Sequence, residues 1–300
     1  MTRLIPTREF ALYSLDSPAV AAGAACPVPF SPVRYSRYKY GSLTATEAFA
    51  QALKAALSNS APDLVRAPRL LVTSSPYARV PTAATTLARR LRPLLEAARA
   101  RHGLPPVPLV QVERLAVTAG DFGTLSAWAR DQHMAASALS FRKFPPGQVK
   151  GAHLLIVDDV RVTGAHQRRL TRATEELPLA ARTFLYIASF PSPASAGFDP
   201  TQEDVLNHAA IKTLTDLARI VEAGDFAWNA RACKFILSPA NYTDLPRFLR
   251  RMSAWFVRAL HRNSHLDGYW RMAPYAPGHA VTRAELDRRA GRRFAACPPA

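Results

Sequence analysis

The sequence predicts an α/β fold: a parallel sheet with helices on both faces and a mostly helical C-terminal region. Short apolar runs near residues 70, 109, 156 and 186 are separated by stretches of helical periodicity, the pattern of parallel βαβ units with right-handed crossovers. The run 154–157 holds four large apolar residues without alternation, as expected of a strand buried on both faces. Beyond residue 200 apolar residues recur at helical spacing instead, with Leu206, Ile211, Leu214, Leu217, Ile220 and Val221 in one stripe and Phe248, Leu249, Met252, Trp255, Phe256 and Leu260 in another.

Taken in order, residues 1–33 are rich in Pro and small side chains with no clear period, and read as an irregular arm. Residues 33–41 interleave Tyr35, Tyr38 and Tyr40 with Arg34, Arg37 and Lys39. An edge strand with tyrosines inward and cations in water is preferred there over a surface that stacks bases and tracks phosphates. Thr44 or Thr46 caps a helix through Leu57. A Pro-containing linker (59–68) leads to a strand at 69–73, a loop at 74–81 and a helix over 82–100 capped by Thr82. Next come a strand at 107–112 with Glu113 and Arg114 at its carboxyl end, a long excursion (117–140) containing Asp121, Phe122 and Gly123, and an edge strand at 141–144. The strand at 154–157 is followed by a helix over 165–177 and a strand at 183–189. The remainder reads as a linker (191–200), a helix from 201 or 202 to about 222, a short strand in 229–239, a basic amphipathic helix over 245–262 and an Arg-rich tail from 283. For the basic helix, packing against the core is favoured over a membrane surface. The expected organisation is therefore an arm (1–33), an α/β core (34–190), a helical region (191–282) and a basic tail (283–300).

Three hundred residues suit one large domain or a core with a smaller cap. With 39 basic against 22 acidic residues the formal net charge is +17, which favours polyanionic partners: phosphorylated small molecules, nucleic acid or an anionic surface. Cys26, Cys233 and Cys297 are scattered and form no CxxC pair, so neither a disulfide framework nor a zinc site is expected, and a reducing cytoplasm fits. No basic region precedes an unbroken apolar stretch near the start, since 19–25 is short and lies between Pro18 and Pro27; no other window is long enough to span a bilayer.

The chemistry concentrates at residues 154–166. The apolar strand ends on Asp158 and Asp159, and adjacent carboxylates at the edge of an apolar sheet repel unless a cation or hydroxyl donors meet them. Five residues on, Thr163 and Gly164 form a turn that opens a helix, so backbone N–H groups and a helix N-terminus converge where a phosphate can sit. An apolar strand, two acids, an apolar residue, two variable residues and Thr-Gly resemble the phosphoribosyl-pyrophosphate (PRPP) signature of type I phosphoribosyltransferases. The match departs at His166, where most members carry Thr or Ser; an imidazole N–H can replace one donor.

The resemblance implies a phosphoribosyltransferase-type core, with the C-terminal region as the hood that binds the nucleophile. It implies that Asp158 and Asp159 bind ribose hydroxyls or the waters of Mg2+, and that Val162, Thr163, Gly164, Ala165 and His166 hold the 5-phosphate. It further implies that the loop carrying Ser75, Tyr77 and Arg79 holds pyrophosphate together with Arg114, and that the segment after Arg114 closes as a lid. The implied partners are PRPP and a nucleobase-like acceptor, with a homodimer as the oligomeric form. A narrower resemblance, carried by residues 35–41, 204–207 and 228–237, is to phosphoribosyltransferase-like proteins encoded with bacterial tellurium-resistance and stress-response clusters, thought to make or modify a nucleoside-like metabolite. The competing expectation is a regulator that senses PRPP and binds nucleic acid through a basic surface. A phosphatase or kinase-like use of the two acids ranks last, because neither a GxxxxGK[ST] loop nor a DxDx nucleophile loop is present.

Overall fold

The computed structural model describes residues 5–17, 20–22, 29–115, 139–141, 144–190 and 201–295. Seven strands occur among them: β1 (Thr7–Ser17), β2 (Val20–Ala22), β3 (Leu70–Ser74), β4 (Glu113–Arg114), β5 (Leu139–Ser140), β6 (His153–Arg161) and β7 (Ala181–Ser189). The main sheet has the order β2-β1-β7-β6-β3, in which β1, β7, β6 and β3 run parallel and β2 is antiparallel at the edge. The α/β expectation therefore holds.

Successive residues of the central strands face opposite sides of the sheet, and each side has its own core. Leu70, Val72, Leu155, Val157, Leu185 and Ile187 pack with Phe49, Leu53, Leu87 and Leu91 of the helices Leu43–Ser60 and Ala83–Ala100. Leu71, Leu154, Ile156, Phe184 and Tyr186 pack on the other side with Leu170 of the helix Ala165–Ala173 and with Phe144 and Val149. This two-sided burial is why the strands read as unbroken apolar runs. Ser42 caps Leu43–Ser60, where Thr44 or Thr46 was expected; Thr82 caps Ala83–Ala100 as expected, in a reciprocal capping box with Thr85.

A second core lies in the C-terminal region. The helices Leu214–Glu222, Ala230–Leu237, Leu245–Arg251, Ala254–Leu266 and Ala276–Ala295 enclose Leu217, Ile236, Leu237, Leu249, Phe256 and Leu260. Hydrogen bonds fasten it to the sheet domain at the loops that border the candidate site: Ala227 N to Gly41 O (2.8 Å), Ala230 N to Pro81 O (2.9 Å), and Arg79 N and Val80 N to Asp267 Oδ1 (both 3.0 Å). None of the described helices is long and apolar enough to cross a membrane.

Several local expectations are corrected. The irregular arm is, over Thr7–Ser17, a sheet strand that buries Leu12 and Leu15; its pairing partner lies far along the chain in β7, so no local period announces it. The edge strand at 33–41 is instead the helix Pro32–Lys39, with Ser31 as its cap and Pro32 in its first turn, burying Tyr35 and Tyr38. The strand in 229–239 is the helix Ala230–Leu237, with Asn229 accepting from Ala232 N.

The helix expected from about 201 to 222 is divided into Gln202–Asn207 and Leu214–Glu222, because Ser36 Oγ takes the amides of Ala210 and Ile211 and Thr213 begins a new capping box with Asp216. The helix over 245–262 likewise breaks where Ser253 caps Ala254–Leu266, leaving Trp255 exposed rather than packed. The tail is helical over Ala276–Ala295, longer than the short helix expected. Segment 107–112 runs beside β3 through a single bridge between Val72 and Leu109, since Pro105, Pro106 and Pro108 supply no donors. The edge strand placed at 141–144 is found at Leu139–Ser140, paired with β4. The proposed lid, apart from its ends, and the 191–200 linker lie outside the described residues.

Candidate active site

The site arises from a difference in strand length. β6 pairs with β3 as far as Ser74 opposite Val157, but with β7 as far as Ser189 opposite Arg161. Past Val157 the chain after β3 turns away, Ser75 N still donating to Val157 O at 3.2 Å, and β6 runs on with one open side. Asp158 and Asp159 occupy that opening, inside the strand rather than at its end as the sequence suggested. A crevice beyond the carboxyl ends of parallel strands is where ligands of such sheets bind.

The two acids are held differently. Asp158 Oδ1 accepts from Ser75 Oγ and from Asp159 N (2.9 Å), whereas Asp158 Oδ2 has no hydrogen bond among the described residues. Asp159 Oδ1 accepts from Val160 N (2.8 Å), and Asp159 Oδ2 accepts from Lys39 Nζ. That ammonium is buried, lies 3.8 Å from Glu203 and sits 5.7 Å from the centre of the Tyr35 ring. Burial, then the neighbouring Asp159 charge, raises the Asp158 carboxyl to about 7. For Asp159 burial also acts upward, but the charge and hydrogen bond of Lys39 outweigh it, leaving the group below its ordinary value. One acid is thus poised near neutrality beside one held ionised.

The following turn keeps the shape of an anion site. Gly164 has φ 71°, a left-handed conformation that glycine adopts freely, and the helix Ala165–Ala173 starts immediately after it. Ala165 N meets Thr163 Oγ1 at 3.3 Å, and no described protein atom takes the amides of Val162, Thr163, Gly164 or His166. His166 Nε2 lies 3.7 Å from Asp158 Oδ2. This is not an ion pair, because burial, with Arg114 and Arg169 nearby, lowers the imidazole to about 3 and keeps it neutral.

The acids, the 162–166 turn, Ser75 and Arg114 share the wall of one cavity of about 190 Å³. A second cavity of about 460 Å³ continues toward the helical region and shares Lys39, Ser75, Thr82, Arg114, Asp159 and Arg231 with the first. Tyr77 and Arg79 line neither. Arg79 is exposed, while Tyr77 O accepts from Arg114 N at 3.0 Å and so positions the arginine that does reach the cavity. Lys39, Thr82, Glu203 and Arg231 were not read as site residues. The clue for Lys39 was the Tyr35-Tyr38-Lys39 spacing of i, i+3 and i+4, which fits one face of a helix and not the alternation of a strand.

Among the described residues no three His, Cys, Asp or Glu side chains converge into a metal cluster. The donor set, one unbonded carboxylate oxygen beside an anion turn, suits a hydrated cation carried on a phosphorylated ligand and not one caged by protein.

No curated protein matches the chain significantly. The profile of the family described as PRTase ComF-like matches residues 8–278, a span that takes in the sheet, the twin acids, the anion turn and most of the helical region. The chain therefore belongs to the ComF-like phosphoribosyltransferase family.

Proposed function

We propose that the chain is a Mg2+-dependent phosphoribosyltransferase that moves the 5-phosphoribosyl group of PRPP onto a nucleobase-like acceptor. The observation that carries the reading is that Asp158, whose Oδ2 has no hydrogen bond among the described residues, and the 162–166 turn, most of whose amides no described protein atom takes, line one cavity, as a sugar with a 5-phosphate requires. In the reaction a nitrogen lone pair of the acceptor forms a bond to C1 while the C1–O bond to pyrophosphate breaks. The electron pair leaves with pyrophosphate, and the acceptor's N–H proton passes to the departing pyrophosphate or to water. Asp158 accepts from a ribose hydroxyl, Lys39 keeps Asp159 ionised beside the cationic sugar of the transition state, the turn holds the 5-phosphate, and Arg114 neutralises the leaving group. Mg2+, when bound, supplies further charge neutralisation to pyrophosphate, reached through water by Asp158 and Asp159.

The test is a thermal-shift screen of PRPP, ribose 5-phosphate and pyrophosphate with and without Mg2+. PRPP should stabilise the protein, and Asp158→Asn with Asp159→Asn should abolish that shift while the far-UV circular dichroism is kept. An unchanged shift refutes the assignment. A binding-only regulator is the second reading, favoured by the Lys39 contact that occupies Asp159 and by the net charge of +17. It predicts a PRPP shift with no pyrophosphate release across a nucleobase panel, together with salt-dependent retention of DNA or RNA.

A further inference from the structure

We infer that Asp267, carried by the helical region, is a positioning residue for the pyrophosphate end of the site: through the loop 75–81 it sets Arg114 against the leaving group. The inference rests on the phosphoribosyl-transfer reading above and adds a residue to it.

The loop that joins β3 to the helix Ala83–Ala100 is tied at its two ends to different parts of the molecule. At its start Ser75 N donates to Val157 O at 3.2 Å and Ser75 Oγ donates to Asp158 Oδ1, which fixes this end on β6 beside the acids. At its far end Arg79 N and Val80 N both donate to Asp267 Oδ1 at 3.0 Å, and Ala230 N donates to Pro81 O at 2.9 Å. Between these anchors Tyr77 O accepts from Arg114 N at 3.0 Å, and a parallel bridge joins Tyr77 to Glu113. The backbone of Arg114 is therefore fixed to the middle of a loop whose far end the helical region holds. With Ser75, Arg114 lines the cavity of about 190 Å³ in which the sugar and pyrophosphate lie in this reading.

Asp267 is itself held firmly. It stands at the C-terminus of Ala254–Leu266 and is 6% exposed, and Gly268 at φ 71° turns the chain so that Tyr269 OH reaches back to Asp267 Oδ2 at 3.1 Å. Burial raises the carboxyl above its ordinary value, a cost that the three donors offset. With one oxygen on the loop and the other on Tyr269, the carboxylate cannot rotate without losing a hydrogen bond. The same acid also reaches Arg114 by charge: burial lowers the guanidinium, and Asp158 from the sheet and Asp267 from the helical region act against that shift. Both cores thus set Arg114, its backbone through the loop and its guanidinium through one acid from each. Positioning of this kind matters to catalysis because a displacement of about 1 Å at a charged contact can cost about 10²-fold.

The test uses the full chain with Mg2+ and two ligands that differ only in the pyrophosphate, ribose 5-phosphate and PRPP. The ratio of their dissociation constants, read by calorimetry without an acceptor, isolates the pyrophosphate contacts. The wild type should favour PRPP. Asp267→Ala should shrink that advantage about tenfold or more, the scale of one hydrogen bond from a charged donor, and leave ribose 5-phosphate within about twofold. Asp267→Asn still accepts from the two amides and should keep the ratio within about threefold. Gly278→Ala, where a Cβ would stand 2.7 Å from Leu237 O, disturbs the helical region away from the loop and should leave the ratio unchanged. An unchanged ratio in Asp267→Ala, or an equal loss in Gly278→Ala, overturns the inference, because the carboxylate then only fastens the two cores together. If Asp267→Ala does not fold, Tyr269→Phe removes only the hydroxyl on Oδ2: a ratio lowered about threefold or more supports the inference, and an unchanged one overturns it. A wild type that binds ribose 5-phosphate and gains nothing from the pyrophosphate also overturns it. One that binds neither ligand overturns the transfer reading and this inference with it.

Discussion

Replacing Lys39 by Met is the most demanding test of how the site is held together. The substitution keeps most of the buried stem and removes the ammonium from between Asp159 and Glu203, whose side chains are 17% and 9% exposed. At a contact of about 3 Å and an effective dielectric of about 20, the attraction to Asp159 alone is about 5 kcal/mol. Removing one partner of a buried pair typically costs about 3–5 kcal/mol, because the other charge is left without compensation. We expect Lys39→Met to lose about 3 kcal/mol of unfolding free energy in urea at pH 7. Asp159→Asn should lose less, since Lys39 keeps Glu203 at 3.8 Å. The double variant should lose at least about 2 kcal/mol less than the sum of the single losses, a coupling far outside the additivity of separate sites. Lys39→Met also removes what holds Asp159 below its ordinary value, so that burial raises both acids. A carboxyl raised on folding contributes stability below its unfolded value and loses it as pH rises, so the variant should weaken toward alkaline pH more steeply than the wild type. A loss under about 1 kcal/mol, or a coupling within about 0.5 kcal/mol of zero, would refute the buried-pair description.

Three further outcomes follow from the structure. Asp158, raised to about 7, should make the unliganded protein lose stability as pH rises from about 4 through 7, and Asp158→Asn should remove that dependence in urea titrations at pH 5 and 8; equal pH slopes would count against it. The effect of Asp159 has the opposite sign, its contribution being lost as pH falls below the ordinary carboxylate range. Arg99, fully buried, donates to Val65 O and Ala67 O (both 2.7 Å) and Pro105 O (3.2 Å), so Arg99→Met should cost about 3 kcal/mol or more, and Arg99→Lys should recover only part because an ammonium lacks the planar fork. At Gly278 a Cβ would stand 2.7 Å from Leu237 O and 2.9 Å from Leu237 Cα, so Gly278→Ala should lower the urea midpoint by the equivalent of about 2 kcal/mol with an unchanged slope.

The amino-acid sequence by itself determined the central strands, the helix after each of them and the twin-acid turn. Those features are local: unbroken apolar runs report burial on two faces, Thr82 and Gly164 mark helix starts, and adjacent carboxylates announce a need for partners. The sheet strand Thr7–Ser17, the helical state of Pro32–Lys39 and Ala230–Leu237, and the arrival of Lys39, Glu203 and Arg231 at Asp159 were decided by tertiary structure. Arg79, which looked like the loop's cation, faces solvent while Arg114 reaches the cavity. The reason is range. A short segment with both helical and strand character takes its state from what it packs against, and the partner of a buried charge is chosen by folding from anywhere along the chain. Lys39 and Asp159 are 120 residues apart, and only the packed chain brings them together.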